Sequence, residues 1–345
     1  MLEEKLKNFD PKVNGESLGG LARGYQESLL VYNAYKIGIF EVLGNNAKDI
    51  ASIAQELGCL PERLGYLLNV LVPMGLIEKR DGRYCNSSIV QTFLLSNSRF
   101  YQGDLLELQL SPKRRQQWDR IDKWLRGETS GTVRKSEPDE VFNPSFIRAM
   151  AQGALSNEAF KETIIQIANH QCFQASRRLL DLGGGHGLYA IALKQIRPEL
   201  DVVVYDLPHV GQVAEEYSRQ YDTEVSFVPG NFYKDDLPMK QDIILAFDIL
   251  YPAPGPQKKM VIEKMYNALN PEGYLLLKQL FLDDTRTKPK GAAFFSLCLS
   301  LGNFMSHVST VQEAEEMFND TGFQIVDSCK VGGSTSTLLF LKKSE

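Results

Sequence analysis

The sequence predicts an α/β chain in two parts: a helical front half of winged-helix pattern, then a back half in which short parallel strands alternate with helices. Up to about residue 175 the apolar residues recur mainly at helical spacing, with one hairpin signal at Asp81-Gly82. From Arg178 the texture changes to short apolar runs separated by helical stretches, the pattern of a parallel sheet wrapped by helices. The first of these runs ends in Gly183, Gly184, Gly185 and Gly187 and passes straight into a helix, as the opening strand of a Rossmann-like fold does.

The elements follow in order. Residues 1 to about 20 are expected as a polar lead-in, followed by an apolar helix from Tyr25 to Leu43. Lys48–Leu57 and Pro61–Met74 read as two helices, the second opened by proline at a favoured first-turn position. EKRDGRYCNSS then reads as two short strands turning at Asp81-Gly82. Helix, helix, hairpin is a winged helix, and a DNA reader would need Arg, Lys, Asn or Gln along its second helix. PERLGYLLNVLVPM carries one arginine on a mostly apolar surface, so a protein-docking module is favoured.

Residues 101–175 are expected as a helical connector, with a polar loop at Glu128–Pro138 and helices at Phe142–Met150 and Asn157–Ile167. Strands are expected at Arg178–Leu182, Asp201–Tyr205, Val225–Val228, Asp242–Phe247, Tyr274–Leu282, Phe323–Val331 and Ser336–Leu341, the last two meeting at Gly332-Gly333. Helices are expected at Leu188–Ile196, Gln257–Leu269 and Val311–Asn319. The division is therefore residues 1–100, 101–175 and 176–345.

Composition narrows the function classes. Of the 345 residues 43% are hydrophobic and 23% charged, the ordinary globular range, so a disordered or fibrous chain is excluded. A net charge of -5 supplies no global attraction for nucleic acid or anionic lipid. Five scattered cysteines without a CxxC pair argue against a disulfide framework or a zinc site. Neither a secretion signal nor a membrane-spanning run is visible, so a cytoplasmic protein is expected, with no nucleic-acid or membrane partner.

The stretch LLDLGGGHGLYAIALKQIRPELDVVVYDLP carries the chemistry. Its glycines let the backbone turn sharply and let a ligand lie against it. A second strand ends at Asp206, roughly the 20-residue offset of an acid that grips ribose hydroxyls. A dinucleotide site would place a third glycine where Leu188 stands. GxGxG without a basic phosphate anchor points to S-adenosyl-L-methionine rather than NAD.

With these motifs the chain resembles the homodimeric small-molecule O-methyltransferases of the plant caffeate and bacterial polyketide-tailoring type, over roughly residues 20–343. The resemblance rests on DLGGGHG, Tyr205-Asp206-Leu207-Pro208, Gly230-Asn231-Phe232 before Leu237-Pro238, and Asn270-Pro271-Glu272-Gly273. It implies a Rossmann-like class I methyltransferase domain behind an α-helical winged-helix dimerisation domain, and a homodimer. It implies that Gly183 and Gly185 approach the methionine end of the cofactor, that Asp206 holds the ribose with Leu207 beside it, and that Gly230, Asn231 and Phe232 border the adenine. Where the family has aspartate, Asn231 can still accept from an exocyclic amine.

The sequence departs from the family at the catalytic strand end. Phe247-Asp248-Ile249-Leu250-Tyr251-Pro252-Ala253 stands where the family carries lysine-x-x-leucine-histidine-aspartate-tryptophan. Phe247 replaces the lysine beside the cofactor, Tyr251 replaces the histidine base, and the partner carboxylate aligns with Gln279. The bacteriochlorophyll ring-carbon methyltransferase of the same family is similar in having a Leu-Tyr pair here. A tyrosine of ordinary pKa about 10 is a weak base, and proximity and orientation can carry much of a methyl transfer. Tyr251 is therefore expected to orient the acceptor.

The resemblance places Phe146, Met150, Phe295 and Asn303 on the wall of a pocket for a small aromatic or planar apolar acceptor. His307 is the one remaining histidine in reach of it, its other reading being a capping-loop residue. No metal is indicated. O-, C-, N- and S-methylation stay open, as do non-methylating chemistry on the same cofactor, decarboxylase- or hydroxylase-like, and a winged-helix regulator.

Overall fold

The computed structural model describes residue 7 and residues 15–128, 141–251, 255–302, 307–333 and 336–344. The chain forms two compact units, residues 1–115 and 116–345.

In the first unit, helices α1 (Glu16–Ile37), α2 (Ile39–Leu43), α3 (Ile50–Leu57) and α4 (Pro61–Leu71) precede the hairpin β1 (Ile77–Arg80) and β2 (Arg83–Asn86). Asp81 and Gly82 both take positive φ, as a two-residue turn of the type that matches strand twist requires. Helices α5 (Ser88–Phe93) and α6 (Gly103–Leu110) follow. Ile39, Phe40, Ile53, Leu68, Leu71, Ile77 and Tyr84 share one buried core.

Four helix boundaries differ from expectation. Helix α1 starts at Glu16, inside the expected polar lead-in, and the expected helix Tyr25–Leu43 breaks at Gly38, whose φ of 88° ends one helix and caps the next. The third helix begins after Asp49, whose carboxylate accepts from Ser52 N–H at 2.9 Å. The fourth ends at Leu71, three residues before the expected Met74.

The second unit carries α7 (Pro144–Leu155), α8 (Glu158–Asn169) and α9 (Gln171–Ala175) ahead of the sheet. Asn143 and Asn157 accept from backbone N–H groups at the starts of α7 and α8, which sets both one or two residues later than expected. The sheet elements are β3 (Arg178–Leu182), α10 (Leu188–Ile196), β4 (Asp201–Asp206), α11 (Gly211–Gln220), β5 (Ser226–Pro229), β6 (Gln241–Phe247), α12 (Gly255–Ala268), β7 (Leu269–Gln279), α13 (Lys290–Leu301), α14 (Val311–Asn319), β8 (Phe323–Val331) and β9 (Ser336–Lys343). The seven-stranded sheet runs β5-β4-β3-β6-β7-β9-β8. Strands β3 to β7 pair in parallel, and β9 is antiparallel to both β7 and β8.

Both faces of the central strands are buried: Leu180 and Leu182 pack on one side, Leu179 on the other. That is why these strands read as near-continuous apolar runs. Several strand boundaries shift by one or two residues from expectation; the large shift in the sheet is β7, which spans Leu269–Gln279 where Tyr274–Leu282 was read, so that Leu280 and Leu282 lie beyond its end. The expected loop Glu128–Pro138 falls outside the described residues apart from Glu128. Among the described residues no helix is long and apolar enough to cross a membrane.

Chain order reverses between β3 and β6, since β4 and β5 lie to one side and β6 and β7 to the other. In sheets of this kind, ligands settle in the crevice at such a switch point, outside the carboxyl ends of the strands. Gly183, Leu207, Gly230, Asp248 and Leu280 follow directly on five of those ends.

Candidate active site

The loop after β3 is tight because its backbone must turn back on itself. Gly183 has φ 64°, and a Cβ there would come 2.6 Å from Ile249. A ligand crossing this turn meets bare backbone. Gly183 N–H donates to Tyr205 O at 2.7 Å, which ties the loop to the end of β4.

Asp206 completes the arrangement. Its carboxylate accepts from Gly185 N–H at 2.8 Å and from Leu207 N–H at 2.7 Å, one oxygen each. Gly230 N–H donates to Asp206 O at 2.9 Å, so the β5 loop is fixed to the same residue. Burial pushes the Asp206 carboxyl up despite the two N–H groups. A second buried carboxyl, Asp181, lies under the loop, and burial followed by the neighbouring Asp206 pushes it up to about 7. His186 Nδ1 accepts from Leu188 N–H at 3.1 Å, and burial followed by the Lys278 ammonium pushes this imidazole down to about 4. His186 is therefore neutral at physiological pH.

The structure gathers Gly183, Gly185, Asp206, Leu207, Gly230 and Phe232 around the switch point. A Cβ on Gly183 would lie 3.5 Å from the Phe232 ring, and one on Gly185 would lie 3.9 Å from Asp206 Oδ2. Asn231 Oδ1 accepts from Tyr233 N–H at 2.9 Å, forming the local turn, and keeps one further lone pair. The bare glycine cradle and the doubly held carboxylate fit an adenosine ligand with a ribose diol.

Past β6 the chain turns sharply, with Asp248 at φ 59°. Lys278, near the end of β7, donates from its ammonium to Asp248 Oδ2, and Asp248 N–H donates to Lys278 O at 2.9 Å. The Lys278 side chain is 8% exposed and the Asp248 side chain 43% exposed. Burial alone lowers a lysine, but Asp248 and then Tyr189 outweigh it and hold Lys278 above its ordinary value. The ammonium also lies 5.5 Å from the centre of the Phe247 ring and 5.7 Å from that of Tyr189. Those two rings meet edge to face at 4.8 Å.

Tyr251 is buried three residues after Asp248. Its hydroxyl donates to Asp248 Oδ1 at 3.0 Å, and its oxygen receives Leu280 N–H. Burial, then the Asp248 charge, pushes this phenol well above 10, so the hydroxyl keeps its hydrogen at neutral pH. Its ring meets Phe295 edge to face at 5.0 Å, and both belong to a cluster with Leu282, Ala292 and Leu299.

The remaining expected wall residues are dispersed. Phe146 packs with Ile147, Leu188 and Leu207, and Met150 is exposed further along α7. His307 is largely exposed, 4.0 Å from Glu313, in the approach to α14, whose start is capped by Thr310 and Glu313. Asn303 lies outside the described residues, as do Pro252 and Ala253. Gln279 is buried, and its Oε1 has no hydrogen-bond partner among the described residues. It lines a cavity of about 10 Å³, room for about one water, with Leu250, Tyr251, Lys258 and Ser309.

Sequence reasoning missed Asp248, Lys278 and Tyr189. A signal existed, because Lys278 interrupts the apolar run LLLKQLF, and a lysine in a doubly covered strand demands a partner.

Comparison with known proteins follows the same lines. The O-methyltransferase domain family matches residues 123–324, and the O-methyltransferase dimerisation domain matches residues 20–96. The chain is similar to the 3-hydroxy-5-methyl-1-naphthoate 3-O-methyltransferase of Streptomyces sahachiroi, 28% identical over 297 residues, 83% of each chain. It is 25% identical over 320 residues to the N,N-dimethyltransferase OxyT of Streptomyces rimosus, covering 91% of this chain and 92% of that one. The human N-acetylserotonin methyltransferase structure with S-adenosylmethionine superposes with a TM-score of 0.80 at 21% identity, over 96% of this chain and 97% of that one.

Proposed function

The chain belongs to the O-methyltransferase family and is a methyltransferase that uses S-adenosylmethionine; from that premise we infer that it methylates a small, planar, largely apolar acceptor in the strand-end crevice of residues 116–345. Gly183, Gly185, Asp206, Leu207, Gly230, Asn231 and Phe232 hold the cofactor, with Phe247 at its edge. When bound, the cofactor supplies an electrophilic methyl group on a sulfonium.

The observation that carries this reading is Asp206. Its carboxylate is held by two backbone N–H groups at the switch point, with lone pairs left for two ribose hydroxyls. The edge-to-face pair Tyr251–Phe295 supports a flat acceptor, as does the hydroxynaphthoate in the name of one relative. Phe146, Met150, Asn303 and His307 remain further wall residues by resemblance. Tyr251 positions rather than deprotonates, because its hydroxyl hydrogen is committed to Asp248.

The dimerisation domain supports a homodimer through residues 20–96. Leu18, Leu21 and Tyr25 on α1 and Tyr66 on α4 are exposed, an apolar surface suited to a second copy. All five cysteines are free thiols, which suits a reducing, cytoplasmic setting.

Calorimetry with S-adenosylmethionine, transfer of a tritiated methyl group to a panel of naphthols and catechols, and light scattering test the three parts. Lack of cofactor binding would overturn the site. Cofactor binding with no labelled product from any planar acceptor would overturn the acceptor class. A mass of 38.8 kDa at micromolar concentration, where twice that is expected, would overturn the homodimer.

A further inference from the structure

We propose that Asp248 is the residue that meets the methyl acceptor, and that the acceptor's nucleophile is an oxygen or nitrogen carrying a hydrogen; this rests on the methyltransferase reading above. Three observations lead there.

The position is right. Asp248 follows β6 at the switch-point crevice, and the next residue, Ile249, faces Gly183 of the cofactor loop. Tyr251, three residues on, faces Phe295 of α13. Asp248 thus stands between the glycine turn and the Tyr251–Phe295 pair.

The chemistry is right. Tyr251 has its hydrogen on Asp248 and receives Leu280 N–H, and it is buried, so it has little to offer a ligand. Asp248 is 43% exposed. One oxygen takes the Lys278 ammonium and the other the Tyr251 hydroxyl, which leaves further lone pairs on the open side. Lys278 and Tyr251 are positioning residues that aim the carboxylate.

The step balances. The lone pair of the acceptor O–H or N–H forms the new bond to the methyl carbon as the S–C bond breaks and its electron pair goes to sulfur. S-adenosylhomocysteine leaves neutral. The acceptor's proton becomes strongly acidic as that bond forms, so it passes to Asp248 and from there to water. A weak base suffices when proton loss accompanies bond formation. A carbon nucleophile loses its proton only after the new bond forms and gives the carboxylate no O–H or N–H to hold beforehand, so Asp248 orients an oxygen or nitrogen acceptor and not a carbon one.

Among the described residues, Asp248 bonds Lys278 on β7 and Tyr251 on its own turn, Tyr189 on α10 and His186 of the glycine loop act on Lys278, and Lys258 lines the cavity beside Tyr251. Lys278, Tyr251, His186 and Lys258 are buried, whereas the Asp248 side chain is 43% exposed.

Asp248→Asn keeps the shape and removes the charge. With 2-naphthol as probe acceptor, turnover at pH 7 should fall about a hundred- to ten-thousand-fold, the range of a general base, with KM changed little. The defect should shrink as pH rises toward the ionisation of the naphthol itself, near the ordinary phenol value of about 10. A structural role would not produce that recovery. Asp248→Asn with Lys278→Met guards against misfolding, since it leaves no buried unpaired charge, and it should show the same pH-dependent loss. Calorimetry with S-adenosylmethionine on the same preparations should be unchanged, and a loss of binding in the parent would instead overturn the methyltransferase site. Near-parental turnover in both variants, or a loss that persists at every pH, overturns the role of Asp248. A parent that binds cofactor but methylates neither 2-naphthol nor 2-naphthylamine overturns the acceptor class.

Discussion

Lys278 and Asp248 join two neighbouring parallel strand ends twice, once through the ammonium and carboxylate and once through backbone N–H and carbonyl. The ammonium is the more buried partner, at 8% against 43% side-chain exposure. That asymmetry sets the outcome of breaking the pair. Lys278→Met leaves a carboxylate that water can reach and should cost about 1–3 kcal/mol, the scale of a hydrogen bond to a charged group. Asp248→Asn leaves a buried ammonium with a weaker partner and should cost more, toward about 3–5 kcal/mol. The double variant should fall below the sum of the two. Urea denaturation of the three proteins decides the order, and an equal or reversed order means that the ion pair does not set the local stability.

The buried Asp181 and His186 bend the pH–stability curve in opposite senses. Asp181 is raised to about 7, so its contribution is fully present below about 4, the ordinary carboxylate value, and is lost as pH rises through 7. His186 is lowered to about 4, so its contribution is present above about 6.5 and is lost as pH falls through 4. Between about pH 4 and 6.5 the two offset each other. Asp181→Asn removes one arm, so its stability should rise with pH across that window while the parent stays flat. Thermal unfolding from pH 4 to 8 reads this directly, and a parallel pair of curves counts against it.

Asp206→Ala removes the acceptor of two loop N–H groups as well as the ribose contact. S-adenosylmethionine affinity should weaken by about 1.5–3 kcal/mol, the scale for hydrogen bonds to a charged group. Unchanged affinity by calorimetry would displace the cofactor from this crevice.

Tyr251→Phe keeps the ring against Phe295 but loosens Asp248 and strands the Leu280 N–H. Turnover should fall about ten- to a hundred-fold, at roughly 1.4 kcal/mol per decade, with the shape of the pH–rate profile retained. A loss above about ten-thousand-fold accompanied by disappearance of a basic limb would make Tyr251 the proton acceptor.

The parts of this molecule written in adjacent residues were legible in its sequence. The strand into Gly183 and the helix Leu188–Ile196 are contiguous signals, and Asp206 sits at a fixed offset behind them. The Asp248–Lys278 pair was not, because thirty residues separate its members and only sheet register brings them together. Strand geometry explains the choice of Gln279 as well. Adjacent side chains on β7 point to opposite faces, so a one-residue offset exchanges the face of Asp248 for that of the Lys258 cavity. The break at Gly38 was hidden because one glycine in an apolar run reads equally well as a tolerated helix residue.

Asp248 holds its carboxylate on a left-handed backbone, at φ 59°. That conformation admits glycine, asparagine and aspartate readily and resists β-branched or bulky side chains. Mutational drift at this position is therefore confined by the main chain before chemistry is consulted. Of the three residues that fit, only aspartate can still neutralise the lysine behind it, so backbone shape and buried charge together leave this codon almost no alternatives.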